Sequence, residues 1–97
     1  MTRNEVLQLL TQFYHQEQEH YRIKRIGIFG SVARGEATES SDVDVVVELF
    51  EPRFQALIGI KLELENLLHR PVDLVRYRQS LSPFFKAMLD QEAVYVR

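Results

Sequence analysis

Apolar residues recur along the chain in two periods, one typical of helices and one typical of strands. Near the start they fall every three or four residues, which predicts an amphipathic helix over about the first two dozen residues. Thr2 and Glu5, three residues apart, match a capping box at its beginning. The predicted buried face of this helix consists of Val6, Leu7, Leu10, Phe13 and Tyr14.

Short runs rich in β-branched and aromatic residues predict strands. Three are clear, and a short "AVYV" near the end predicts an additional edge strand. The three clear runs are Arg25–Gly30, Asp42–Leu49 and Pro71–Val75.

Two further helices are predicted in the second half of the chain. Apolar residues follow a 3.6-residue period between Pro52 and Pro71. Ser82, followed by Pro83, predicts the N-cap and first position of the last helix. In this order the first two strands are joined by a loop, as in a hairpin, whereas the second and third strands are joined through a helix. This order therefore predicts an α/β or α+β fold with a mixed sheet of three to four strands backed by helices.

Composition limits the size and class of the protein. The chain has 97 residues, 45% of them hydrophobic, so we expect residues 1–97 to form one domain with a modest core. The chain has twelve basic and fourteen acidic residues, and this balance argues against a broad surface that binds nucleic acid. The lack of cysteine excludes disulfides and thiolate chemistry. The sequence has neither a membrane-length apolar run nor a signal peptide, so we expect a soluble, cytoplasmic protein.

Candidate chemistry is concentrated between Gly30 and Asp44. In a strand, residues two apart point to the same face, so Asp42 and Asp44 would lie side by side. Adjacent carboxylates repel each other unless a proton or a cation lies between them, which favours a hard divalent ion such as Mg²⁺. The alternative is that Asp42 caps a turn and Asp44 lies on a solvated sheet face.

Asp73 is the only charged residue in an apolar predicted strand. If this strand lies next to the Asp42 strand, three carboxylates converge. The alternative is an exposed strand residue.

The sequence "GSVARG" resembles a phosphate-binding turn. Gly30 permits close backbone approach, Ser31 can cap a short helix, and Gly35 can end that helix in a left-handed conformation. Backbone N–H groups at a helix start suit the terminal phosphates of a nucleotide.

Taken together, Gly30-Ser31, ten intervening residues and Asp42-Val43-Asp44 resemble the signature of the polymerase-β-type nucleotidyltransferase superfamily. The short chain and the "GS-x-A-R-G … SD-x-D" form are similar to the minimal nucleotidyltransferases that act as antitoxins beside HEPN-domain ribonuclease toxins. The resemblance covers nearly the whole chain and implies the nucleotidyltransferase fold.

The resemblance also implies roles for individual residues. Asp42 and Asp44 would bind Mg²⁺, and Asp73 matches the third family carboxylate, which helps bind the catalytic metal and accepts the proton of the attacking hydroxyl. Gly30 and Ser31 would hold the triphosphate.

Two further residues are candidates for contact with the nucleotide. Arg34 falls at the family's arginine, which orders the loop or touches phosphate; a solvated helix residue is the alternative. Ser41 is a candidate either for capping the loop or for touching phosphate.

The resulting functional hypothesis is an antitoxin enzyme that transfers AMP from ATP to a side-chain hydroxyl, expected to be a tyrosine, of a HEPN-family toxin. The alternative is a non-catalytic antitoxin that neutralises the toxin by direct binding. Transfer to the end of an RNA is disfavoured by the acidic balance.

The remaining polar and aromatic features have structural interpretations. The three histidines are predicted at the surface or at helix ends. The three arginines around the third strand are predicted to be solvated, with contact to nucleotide phosphate or to an acidic partner as the alternative. The segment "PFFKAML" is predicted to be core, with a partner interface as the alternative. These residues are His15, His20, His69, Arg70, Arg76, Arg78 and the segment 83–89.

Overall fold

The computed structural model describes all 97 residues, and its helices and strands alternate along the chain. The order confirms the helices and strands predicted from the sequence, with one added helical turn after the first strand. The elements are α1 (Arg3–Tyr21), β1 (Ile23–Phe29), α2 (Gly30–Ala33), β2 (Val43–Leu49), α3 (Phe54–Leu68), β3 (Val72–Arg76), α4 (Pro83–Glu92) and β4 (Val94–Tyr95).

The four strands form one sheet in the order β3-β2-β1-β4. Strand β1 is antiparallel to both β2 and β4, whereas β2 and β3 are parallel. The parallel pair is joined through α3, because parallel neighbours need a long crossover connection. The fold is therefore α+β with a mixed sheet, as predicted.

The main core lies between one face of the sheet and helices α1 and α3. Alternate residues of β1 and β2, including Ile28 and Val45, meet Leu10 of α1 and Leu64 of α3, and all four are fully buried. The valine-rich sequence of β2 fits this position, because a central strand that is covered on both faces favours β-branched side chains.

Helix α4 covers part of the opposite face. Leu89 is fully buried against Phe29 and Val46, and the ring of Phe85 meets Phe29 edge-on at 6.2 Å. This face, next to the end of β1 and the start of β2, carries the candidate site.

Both predicted helix caps are present. The Thr2 and Glu5 side chains accept hydrogen bonds from each other's backbone N–H, which completes the capping box of α1. Ser82 accepts from the Phe85 N–H at 3.2 Å at the start of α4. None of the helices combines the length and apolar character needed to cross a membrane.

The histidines lie where the sequence predicts them. His15 is exposed, with Nε2 at 2.8 Å from the Arg97 carbonyl oxygen. His20 lies in the last turn of α1, and His69 follows α3 as its C-cap.

The structure corrects some predicted faces and ends. The buried stripe of α3 is Ile60, Leu64 and Leu68, whereas Phe54 and Ile58, which share its apolar period, face solvent. Two apolar stripes on one helix satisfy the same spacing, so periodicity alone does not choose between them.

Two further corrections concern α4 and the β2 boundary. The side chain of Phe84 is 86% exposed, so "PFFKAML" is core only in part. Strand β2 begins at Val43, so Asp42 immediately precedes the strand and is not its first residue.

Candidate functional site

The three candidate carboxylates lie at the same end of the β2–β3 pair. The parallel register places Asp44 directly opposite Asp73. Cross-strand partners share a sheet face, so both side chains project to the same side. Asp42 lies two residues before Asp44, just outside the strand. The two strands are therefore neighbours, which is the condition on which the predicted convergence depends.

The charges of the three carboxylates affect one another. Burial raises the pKa of Asp44 above its ordinary value, and the negative charges of Asp73 and Asp42 raise it further, while Arg34 acts in the opposite direction. A cation between these oxygens would remove the repulsion that disfavours the ionised form of Asp44.

The donor chemistry fits Mg²⁺, although no three His, Cys, Asp or Glu side chains are close enough to hold one ion in this conformation. Carboxylate oxygens are the hard ligands that Mg²⁺ prefers. The ion usually takes only one or two protein carboxylates and completes its shell with substrate phosphates and water. An open group of carboxylates beside a glycine turn is compatible with that pattern.

Gly30 packs directly against Asp44. Its φ is +70°, and a Cβ at this position would overlap the Asp44 Oδ2 and lie only 3.0 Å from Cγ. Glycine is therefore required both by the left-handed backbone and by the space. The close approach brings the turn and the carboxylate cluster into contact.

Helix α2 is one turn long and begins at this glycine. Its N-cap position is Phe29, which makes no side-chain capping bond, so Ser31 lies inside the turn and is not the cap that the sequence predicts. The turn ends at Gly35, whose φ of +73° confirms the predicted left-handed end. The first N–H groups of a helix have no intrahelical acceptor and can meet an anion.

Arg34 is held by two carboxylates, unlike a free solvated residue. Its Nε donates to Glu36 Oε1 at 2.8 Å, and its Nη1 donates to Glu92 Oε1 at 2.6 Å. These bonds raise the pKa of Arg34. The second bond connects the turn to the last residue of α4, and Arg34 lies near enough to Asp44 to affect its pKa.

Ser41 closes a turn in the connector, the segment of residues 34–42 between α2 and β2. Its Oγ accepts from the Thr38 N–H at 3.0 Å, and its N–H donates to the Thr38 carbonyl at 3.1 Å. The carbonyls of both residues accept from the guanidinium of Arg70.

Arg70 is the residue that sequence reasoning missed. It was predicted to be solvated, yet it is only 9% exposed. Its acceptors are main-chain carbonyls 29 and 32 residues earlier, and no side-chain motif records such contacts. The only sequence signal is its position two residues before the buried Val72.

The site is an open sheet end and not an enclosed cavity. The largest surface cavity, about 660 Å³, is lined by residues that include Gln18, Arg22 and Phe50 at the other end of β1 and β2. None of the predicted site residues lines it.

This combination of a mixed sheet, a glycine turn after its first strand and carboxylates on two neighbouring strands defines a class of nucleotide-handling proteins. The model of the nucleotidyltransferase domain matches residues 10–96, and the chain belongs to that family.

Relatives match over nearly the whole length. Protein adenylyltransferase MntA of Thermococcus cleftensis is 39% identical over 97 residues, covering 99% of this chain and 97% of that protein. The solved structure of a minimal nucleotidyltransferase is 35% identical, with a TM-score of 0.79 and coverage of 97% and 95% of the two chains. This likeness confirms the expected nucleotidyltransferase fold.

A more distant structure shares the fold. It contains the tri-AMPylated HEPN toxin of Shewanella oneidensis in complex with MNT antitoxin. Its matching chain is 20% identical with a TM-score of 0.64, and the match covers 92% of this chain and 70% of that chain.

Proposed function

We propose that this chain is the antitoxin of a toxin–antitoxin pair and acts as a Mg²⁺-dependent protein adenylyltransferase. It transfers AMP from ATP to a hydroxyl, expected to be a tyrosine, of a HEPN-family toxin and thereby inactivates it. The observation that carries the proposal is the contact between the Gly30 turn and the carboxylate of Asp44, which in turn lies opposite Asp73.

The residues divide into two groups in this proposal. Gly30 and Ser31 bind the triphosphate through the turn, while Arg34 and Ser41 lie at its margin. Arg34 is at present bound by Glu36 and Glu92, so contact with phosphate requires it to exchange one carboxylate partner for another anion.

The acidic residues form the second group. Asp42, Asp44 and Asp73 would hold Mg²⁺, and the bound ion would supply positive charge that offsets the charge of the phosphates. The contribution of these side chains is to place negative charge next to the turn. This charge attracts the cation, and the cation in turn favours binding of the triphosphate.

The proposed reaction breaks and forms one bond at the α-phosphorus of ATP. The acceptor hydroxyl oxygen bonds to that phosphorus, and the bond to the oxygen that bridges to the β-phosphate breaks, which releases pyrophosphate. Asp73 accepts the proton of the hydroxyl; its exposed position on an edge strand leaves it accessible to an acceptor arriving from solvent.

The full-length likeness to a relative named protein adenylyltransferase supports a protein acceptor. The structure that pairs an MNT antitoxin with an AMPylated HEPN toxin shows an assembly of this kind for a protein with the same fold.

The proposal is tested by mixing the chain with the product of the neighbouring gene, which the proposal expects to be a HEPN-family toxin, and with Mg²⁺ and ATP labelled on the α-phosphate. Label is expected on the toxin, and Asp42→Asn or Asp44→Asn should lower transfer at least about 100-fold. Glu39→Gln, which changes an exposed carboxylate in the connector, is the matched control and should leave transfer unchanged.

The same assay separates catalysis from simple binding. A toxin that remains unlabelled but is still neutralised, or is neutralised equally well by both Asn variants, would show that the chain acts by direct binding.

A further inference from the structure

Arg70 is a buried cation without a carboxylate partner within ion-pair distance. It lies between α3 and β3, and its Nε donates to the Ser41 carbonyl at 3.0 Å while its Nη2 donates to the Thr38 carbonyl at 2.8 Å. Nη2 also bonds to the Ser41 carbonyl. Burial of an arginine is costly unless its donors are satisfied, so this geometry is strongly specified.

The two carbonyls belong to the closed turn that precedes Asp42. Asp42 is covalently attached to Ser41 on one side, and on the other side the Val43 N–H donates to the Pro71 carbonyl at 2.9 Å. Residues 70 and 71 therefore hold the backbone on both sides of Asp42.

Asp42 is the carboxylate that most needs such support. Asp44 and Asp73 are fixed by the β2–β3 ladder, whereas Asp42 lies before the strand and is exposed. The position of Asp42 depends on the connector that precedes it, and the connector is held in turn by the hydrogen bonds from Arg70.

We propose that Arg70 is a positioning residue that sets the place of Asp42 relative to Asp44 and Asp73. The inference rests on the proposed function, because the geometry matters only if these carboxylates share an ion. A planar guanidinium holds two carbonyls at a fixed spacing, which the single ammonium of lysine does not.

The test compares Arg70→Met, which removes the charge, with Arg70→Lys, which keeps it. Misplacement of a ligand by about 1 Å costs on the order of 100-fold. We expect AMP transfer to fall by about that factor in Arg70→Met and less in Arg70→Lys. The Mg²⁺ concentration for half-maximal rate should rise in both variants, while KM for the toxin stays unchanged. Arg78→Met, at an exposed arginine, is the control and should match the wild type.

A second readout does not depend on activity. Amide hydrogen exchange at residues 41–43 should be faster in Arg70→Met than in the wild type, with β1 unchanged, and Mn²⁺ should bind more weakly in the presence of ATP. If Arg70→Met does not fold, the same two measurements on Arg70→Lys alone test the positioning role.

Wild-type exchange and Mn²⁺ affinity in the folded variants would overturn the positioning role. An inactive wild-type chain whose exchange and Mn²⁺ binding still respond to Arg70 would instead refute the proposed transfer and leave the positioning role intact.

Discussion

At the scale of single residues, the site depends on a space that only glycine fits. Gly30 and Gly35 both have left-handed backbones, with φ of +70° and +73°. They differ in their surroundings, because a Cβ at Gly30 would overlap Asp44 whereas one at Gly35 would meet nothing within 4 Å. Substitutions at these two glycines therefore distinguish the effect of backbone strain from the effect of contact with the Asp44 carboxylate.

Gly30→Ala and Gly35→Ala should therefore share the cost of left-handed strain and differ in their effect on transfer. Each adds left-handed strain of about 1–2 kcal/mol. Only Gly30→Ala displaces Asp44, and it should lower AMP transfer by about 100-fold. Urea denaturation and the labelled-ATP assay measure the two quantities. Equal losses of transfer would show that the contact with Asp44 is unimportant.

Asp44 itself should destabilise the metal-free protein at neutral pH. Its pKa is raised by folding, so the folded protein retains a proton at pH values where the unfolded chain has lost it. Stability from this group is therefore present at low pH and is lost as pH rises from the ordinary value of 3.8 through the raised value.

Asp44→Asn should raise the free energy of unfolding at pH 7 in EDTA, and the gain should shrink as pH falls towards 4. Thermal unfolding across that pH range measures the effect. A variant less stable than the wild type at pH 7 would contradict the inferred cost of ionising Asp44, which comes from burial first and from the neighbouring carboxylates second.

At the scale of elements, α4 covers the site's face of the sheet and depends on its cap. Ser82→Ala removes the bond to the Phe85 N–H and should lower the free energy of unfolding by about 1 kcal/mol. Ser80→Ala, at an exposed serine in the preceding turn, is the matched control and should have little effect. Chemical denaturation distinguishes them, and equal stabilities would mean that the cap contributes nothing.

The sequence was sufficient for those parts of the site that depend on local pattern. Alternation in β2 predicted the face of Asp44, and glycine chemistry predicted the turn at Gly30, whereas the same alternation wrongly placed Asp42 inside the strand. Arg70 was not predictable, because its acceptors are backbone atoms distant in sequence. The buried face of α3 could not be predicted for a different reason. The helix carries two apolar stripes, and only its packing against the sheet determines which of them is buried.

At the scale of the whole molecule, binding of nucleotide and metal should be visible as stability. A ligand that binds only the folded state at 100 times its Kd contributes about 2.7 kcal/mol. Mg²⁺ with ATP should therefore raise the Tm of the wild type, and much less that of Asp44→Asn, in differential scanning fluorimetry. Equal shifts in both proteins would place the ligand away from Asp44.

The position of β3 at the edge of the sheet has a consequence for solubility. An edge strand offers unpaired backbone groups to any other extended chain, and charged side chains along the edge oppose such pairing. Asp73 supplies this charge at the start of β3, beside Asp44 on the neighbouring strand. A protein in which Asp73 is neutralised should hence be more prone to self-association, whatever the change does to the stability of its monomer. Under the proposed function, Asp73 would then both oppose aggregation at this edge and take part in transfer.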